Sequence, residues 1–134
     1  MLFESPEYSF TIPEVVPCQR ARAAVSKHGR LYVYQPGETK AFQAGVKLIA
    51  GAAIRQPIEG YWAISLRVHT RNRRKMDLDN IAKSVVDGIV ATGKVPDDSR
   101  LWRYTDLCRV LGAPERIEVT VMAYDIEPRG GDRR

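Results

Sequence analysis

Sulfur, imidazole and long apolar runs are all scarce in this chain. Its 134 residues include two cysteines and two histidines. Cys18 and Cys108 lie far apart, so they offer neither a disulfide framework nor a zinc knuckle. They suit a reduced cytosol, as small buried hydrophobes. With two histidines besides, almost no material remains for a zinc site of His and Cys, and any metal would have to sit on oxygen. No apolar stretch approaches the roughly 20 residues of a membrane span; the longest, Val46 to Ile54, is interrupted by Lys47. The opening residues, Met1 to Glu7, carry acids where a secretion signal carries bases, so the expectation is a cytoplasmic, unexported protein. Three familiar motifs are missing: the GxxxxGK[ST] phosphate loop, HExxH and GxSxG. No repeat or low-complexity tract appears. An apolar share of 44% with 28% charged residues excludes wholesale disorder and a fibrous chain, and the length fits one domain.

What is present is charge, unevenly placed. Lys and Arg number 21 against 16 Asp and Glu, a net charge of +5. Arg67, Arg71, Arg73, Arg74 and Lys75 crowd together and run straight into Asp77-Leu78-Asp79. Such a run reads either as a solvated loop or as a phosphate-binding edge beside an acidic pocket.

Periodicity orders the rest. Tyr8 to Val16 reads as a short edge strand interrupted by Pro13, and Val25 to Val33 as a hairpin turning at His28-Gly29. Phe42, Val46, Ile49 and Ala53 share one face of a helix from about Thr39 to Ile54, where Gly45 and Gly51 either weaken the helix or mark close packing. Tyr61 to Thr70 alternates as a strand with one buried face: Trp62 belongs to the core and His69 to the polar side. Ile81, Ala82, Val85, Val86, Ile89 and Val90 form a buried helical stripe, with Gly93 as its C-terminal cap and Pro96 blocking its continuation. Leu101 to Val110 is ambiguous by pattern; it is assigned as a strand because it leads through a Gly112-Ala113-Pro114 turn to a last strand, Ile117 to Tyr124. The order β, hairpin, α, β, α, β, β predicts an α/β chain of the α+β type, with two helices packed on a mixed sheet in two layers. Residues 1–127 form the domain, and 128–134 a flexible basic tail.

Asp77-Leu78-Asp79-Asn80 opens the second helix, and Asp97-Asp98 follows its end. If the strand beginning near Ser99 lies beside the one ending near Thr70, Asp77, Asp79 and Asp98 converge. Carboxylates that close raise each other's pKa, and a divalent cation removes the penalty. Mg²⁺ suits such hard oxygen ligands, with Mn²⁺ as substitute, and can drive phosphodiester hydrolysis. Lys83, one turn beyond Asp79, could steady the carboxylate or neutralise phosphate charge. The plainer reading makes Asp77 or Asp79 an N-cap, Asp79–Lys83 an i,i+4 pair, and Asp97-Asp98-Ser99 a turn.

The stretch from Arg73 through Asp77-Leu78-Asp79-Asn80-Ile81-Ala82-Lys83 and Asp87-Gly88-Ile89 to Asp97-Asp98 closely resembles the RusA family of Holliday junction resolvases, in both order and spacing. That resemblance implies metal-binding carboxylates at Asp77, Asp79 and Asp98 and a catalytic lysine at Lys83. Asp97 and Asp87 are secondary acidic candidates. It further implies four-way branched DNA as substrate, a homodimer acting in recombination and repair, a cytoplasmic, nucleoid-associated setting, and often a phage or prophage gene. DNA-binding candidates are Arg20, Arg22, Arg71, Arg73, Arg74 and Lys75; Arg20-Ala21-Arg22 departs from the family's usual basic element. Trp102 and Tyr104 could stack on unpaired bases, or serve the core or a dimer contact, as could the helix from Ile81 to Val90. Two other readings stay open: a catalytically silent nucleic-acid-binding module, and a nuclease for flaps, forks or RNA.

Overall fold

The structure, a computed structural model, describes residues 6–16, 22–25, 27–34 and 37–126. In chain order these form β1 (Glu7–Ile12), β2 (Arg22–Val25), β3 (Leu31–Tyr34), α1 (Gly37–Ala53), β4 (Tyr61–Thr70), α2 (Leu78–Val90), a 3₁₀ turn (Asp98–Arg100), β5 (Leu101–Leu111) and β6 (Arg116–Tyr124). The expected α+β architecture is what forms. β1 stops at Ile12, because Pro13 has no N–H to give a ladder. β2 and β3 pair as a separate hairpin, and Gly29 in its turn takes a φ of 78°. The assigned tail from Pro128, together with Cys18 and Arg20, lies outside the described residues. Among the described residues no helix is long and apolar enough to cross a membrane.

The main sheet has the order β1-β6-β4-β5. β6 is antiparallel to both β1 and β4, whereas β5 runs parallel to β4, from Leu101 beside Trp62 to Leu111 beside Thr70. Parallel neighbours start at the same end of a sheet, so a crossover must carry the chain back, and α2 is that crossover. The turn carrying Asp97 and Asp98 therefore lies at the Trp62 end of β4. The strand that begins near Ser99 does lie beside the one that ends near Thr70, but it starts at the Trp62 end, so Asp98 does not return to the end of β4 that leads into Asp77.

One face of the sheet and both helices share the core. Trp62, Ile64, Leu66 and Val68 of β4 lie there with Ile117, Val119 and Val121 of β6 and Ile12 of β1. α1 packs over β1, α2 packs over β5, and the helices pack on each other. The buried stripe of α1 is Thr39, Phe42, Val46 and Ala50, rotated from the expected set, with Ile49 and Ala53 only partly covered. The close helix–helix approach is also elsewhere than expected. A Cβ on Gly45 would meet nothing, but one on Gly88 would lie 2.8 Å from the Val46 side chain and 3.0 Å from the Gln43 carbonyl oxygen.

His69 is a correction too: it is buried, and its Nε2 meets Glu118 Oε1. β4 is flanked on both sides, so even its outer face is partly covered by neighbours, and a polar side chain there needs a partner. Arg67 lies on the same outer face, 3.6 Å from Asp106. Cys108 is half-buried on β5 rather than in the core.

Candidate active site

Asp77 stands at the N-cap of α2 in extended conformation, φ −100° and ψ 106°. Its Oδ1 accepts the N–H of Asp79 at 3.0 Å and of Asn80 at 3.3 Å, satisfying donors that a helix start leaves without partners. The plainer expectation of a cap is thus met, and one oxygen of the carboxylate carries both bonds. Asp79, in the first turn, gains from the positive end of the helix dipole. Its exposed carboxylate makes no ion pair among the described residues. Lys83 and Asp87 follow at successive turns on the same face, and Lys83 Nζ lies 3.9 Å from Asp87 Oδ1. The lysine therefore turns towards Asp87 rather than Asp79.

The opposite side of α2 is packed away: Ile81, Ala82, Val85, Val86 and Ile89 are all buried. This fixes the roll of the helix and leaves the charged face outward. The chain then leaves α2 through Gly93 at φ 74°. Val95 re-enters the core, and the Ile58 N–H bonds the Lys94 carbonyl at 2.8 Å. The fully buried Trp62 donates its indole N–H to the Asp97 carbonyl at 3.2 Å. Ser99 donates its hydroxyl to Asp97 Oδ1 at 2.5 Å, so the Asp97 carboxylate serves its own turn. Asp98 instead borders an open pocket of about 380 Å³ with Lys83, Val86, Asp87, Leu101, Trp102, Arg103 and Tyr104. Burial pushes the Tyr104 phenol above the ordinary tyrosine range, and the negative charges of Asp79 and Asp87 push it further.

Lys83, Asp87 and Asp98 thus meet at one pocket, the charge of Asp79 reaches its Tyr104 wall, and Asp77 stands at the head of the helix. The donors are hard carboxylate oxygens, which fit a divalent cation such as Mg²⁺ and suit zinc poorly. Among the described residues, however, no three His, Cys, Asp or Glu side chains of one chain are grouped closely enough to share an ion.

The basic run is divided by the fold. Arg71, Arg73 and Lys75 are exposed. Arg74 is engaged: its Nη1 lies 2.5 Å from Glu115 Oε2 and its Nη2 lies 3.0 Å from Oε1, a two-pronged pair. The Arg71 backbone N–H also bonds Glu115 Oε2, at 3.0 Å. Arg74, followed by the Arg71 N–H, holds the Glu115 carboxyl below its ordinary range. Arg109 donates Nε to Thr70 Oγ1 at 2.9 Å and Nη2 to the Asn72 carbonyl at 2.7 Å. Sequence reasoning missed Glu115 and Arg109, since neither belongs to a local motif. Arg22 begins β2, but its side chain, like all of Arg20, lies outside the described residues.

Carboxylates suited to a hard cation, reached over a loop of exposed cations, make up the chemistry of a phosphodiester-cleaving protein. Residues 14–122 match the endodeoxyribonuclease RusA family, and the chain belongs to it. The activity that membership implies is nuclease resolution of Holliday junctions. No curated protein matches the chain.

Proposed function

We propose that this chain resolves four-way DNA junctions by metal-dependent cleavage, with Mg²⁺ or Mn²⁺ held by Asp77, Asp79 and Asp98 and with Lys83 assisting. One observation carries this reading: the acidic, lysine-bearing face of α2 opens directly from a loop of exposed cations, in a chain of the RusA family. A bound divalent cation supplies Lewis-acid stabilisation of charge on the scissile phosphate and makes water more acidic. Lys83, about 6 Å along the axis from Asp79, adds positive charge beside that phosphate. Arg71, Arg73 and Lys75 grip neighbouring phosphates, which sets position rather than sequence preference.

The working unit in this reading is a homodimer, because resolution needs two symmetric cuts and a C2 pair supplies two sites. The apolar stripe of α2 is used up in the core, so the contact falls to the exposed Trp102 and Tyr104 at the start of β5. The second copy then approaches the pocket that holds Asp98. Each site is completed across the pair, with Asp77 and Asp79 of one protomer joined by Asp98 of the partner subunit. What supports this arrangement is that within one chain Asp98 shares a pocket with Lys83 and Asp87 rather than with Asp77 and Asp79, and among the described residues no three acids group closely enough to share an ion.

A labelled four-way junction incubated with protein and Mg²⁺ provides the test. The wild type is expected to nick it at symmetric positions, and Asp79→Asn and Asp98→Asn to be silent alone. Refolded together, the two variants recover nicking, since each mixed dimer retains one intact site. Wild-type nicking without recovery would place each site within one chain. The two hydrogen bonds that Asp77 Oδ1 accepts from the helix start favour a second reading, a silent DNA-binding module in which the acids only cap and solvate. In that case the wild type binds junctions without cutting them, and Asp98→Asn changes affinity alone. Competition among a junction, a fork and a plain duplex separates a resolvase from a nuclease of other preference.

A further inference from the structure

The loop from Arg71 to Met76 joins the end of β4 to the Asp77 cap, so its shape decides where the acidic pair stands. It has no regular structure of its own, yet three of its six residues, Arg71, Asn72 and Arg74, are tied to the hairpin of β5 and β6. The Gly112 N–H bonds the Thr70 carbonyl at 2.8 Å. Arg109 reaches Thr70 and Asn72, Glu115 reaches Arg71 and Arg74, and the Arg74 N–H returns to Asn72 Oδ1 at 3.0 Å. The two Glu115 oxygens together accept three bonds from the loop, and its partner Arg74 is half-buried against it.

We propose that Glu115 is a positioning residue for the acidic site, and that Arg74 is its structural counter-charge rather than a DNA contact. With Arg109, the pair holds the loop in the one shape that sets Asp77 and Asp79 against phosphates gripped by Arg71, Arg73 and Lys75. The proposal rests on the nuclease reading for its effect on catalysis, but its claim about Arg74 does not. A bidentate arginine–carboxylate pair has planar geometry, so it transmits orientation as well as attraction. Two of the five guanidinium N–H donors are spent on Glu115, and the carboxylate offsets the arginine's charge, so Arg74 has less to offer a phosphate than the exposed Arg71, Arg73 and Lys75.

Two variants, the isosteric Glu115→Gln and the shorter, neutral Arg74→Gln, test this beside Arg73→Gln. In each of the first two, kcat for junction nicking is expected to fall by up to about 100-fold, the loss that a misplacement of about 1 Å brings, with KM unchanged. The double variant should be no worse than either single one, since both remove one clamp. Without metal, Arg73→Gln lowers the slope of log affinity against log salt by about 0.9, whereas Arg74→Gln leaves it where it was. Two results overturn the proposal. One is a fall in that slope for Arg74→Gln, which makes it a phosphate contact; the other is an unchanged kcat in Glu115→Gln, which leaves the clamp without influence on the site. A wild type that never nicks would sink the nuclease reading instead. The salt slopes, with amide exchange across residues 71–77 in Glu115→Gln, would then decide the clamp: rapid exchange supports it and unchanged protection overturns it.

Discussion

Asp77 at the head of α2 and Asp98 past its tail carry the same chemical group, but polar side chains hold the first and the apolar core holds the second. At the head, Glu115, Arg74 and Arg109 form a charge-assisted lattice at the surface. At the tail, Val95 is buried and the fully enclosed Trp62 fastens the Asp97 carbonyl. Charge-assisted bonds at a surface give direction at modest net stability, and they respond to pH and salt. Burial gives stability that neither variable touches directly. The two acidic ends of one helix should therefore fail under different conditions.

The largest expected effect breaks the tail. Trp62→Phe removes volume from a fully buried site and takes away one of the two donors on the Asp97 carbonyl, leaving the Arg100 N–H at 3.0 Å. A loss of about 2–4 kcal/mol follows from the cavity and the lost hydrogen bond together. Urea unfolding measures it, as a lower midpoint with an unchanged slope; a change within about 0.5 kcal/mol would show that the tail is not anchored by the core.

A smaller effect separates the two ends by pH. The Glu115 carboxyl titrates below its unfolded value, so its contribution is present above the unfolded pKa, about 4.3, and is lost as pH falls through the folded one. The difference in thermal midpoint between wild type and Glu115→Gln should stay constant from about pH 6 to 8 and shrink below about pH 4. The Trp62→Phe deficit should not follow that curve. If both deficits fade together in acid, the contrast between the ends is lost.

Much of this was legible before the fold was known. Both helices, the strands from β4 onward and the Gly93 exit follow from apolar periodicity and turn chemistry, because these are local properties. The acidic motif stood out through its order and spacing. The direction of β5 could not be read, since a strand pattern is the same whether its neighbour runs parallel or antiparallel. That direction alone moved Asp98 to the far end of β4. Likewise the clamp joins residues of the β4–α2 loop to the β5–β6 hairpin, and no spacing within either segment announces it. His69 obeyed the alternation expected of it. Its burial came from Glu118 on the adjacent strand, which only pairing reveals.

The smallest effect sharpens the comparison by reading across the face. Tyr104 feels burial first, then Asp79, then Asp87. Asp79→Asn should lower the Tyr104 titration midpoint more than Asp87→Asn does, and neither should return it to the ordinary tyrosine value, because burial remains. Ring carbon shifts followed by NMR through alkaline pH measure this. Equal and negligible shifts would mean that the head of the helix does not face the pocket at its tail.

A parallel partner for β4 also turns α2 into a measuring rod. The sheet fixes the chain at both of its ends, so the 13 residues between must span one set distance and arrive with one set twist. Adding a single residue would advance everything behind it by 1.5 Å and swing it through about 100°, taking the packed stripe off the core and the charged one out of line. Length is therefore free to drift only at the loops, or within the rod by whole turns. The spacing of the acids is written into the residue count of the helix that separates them.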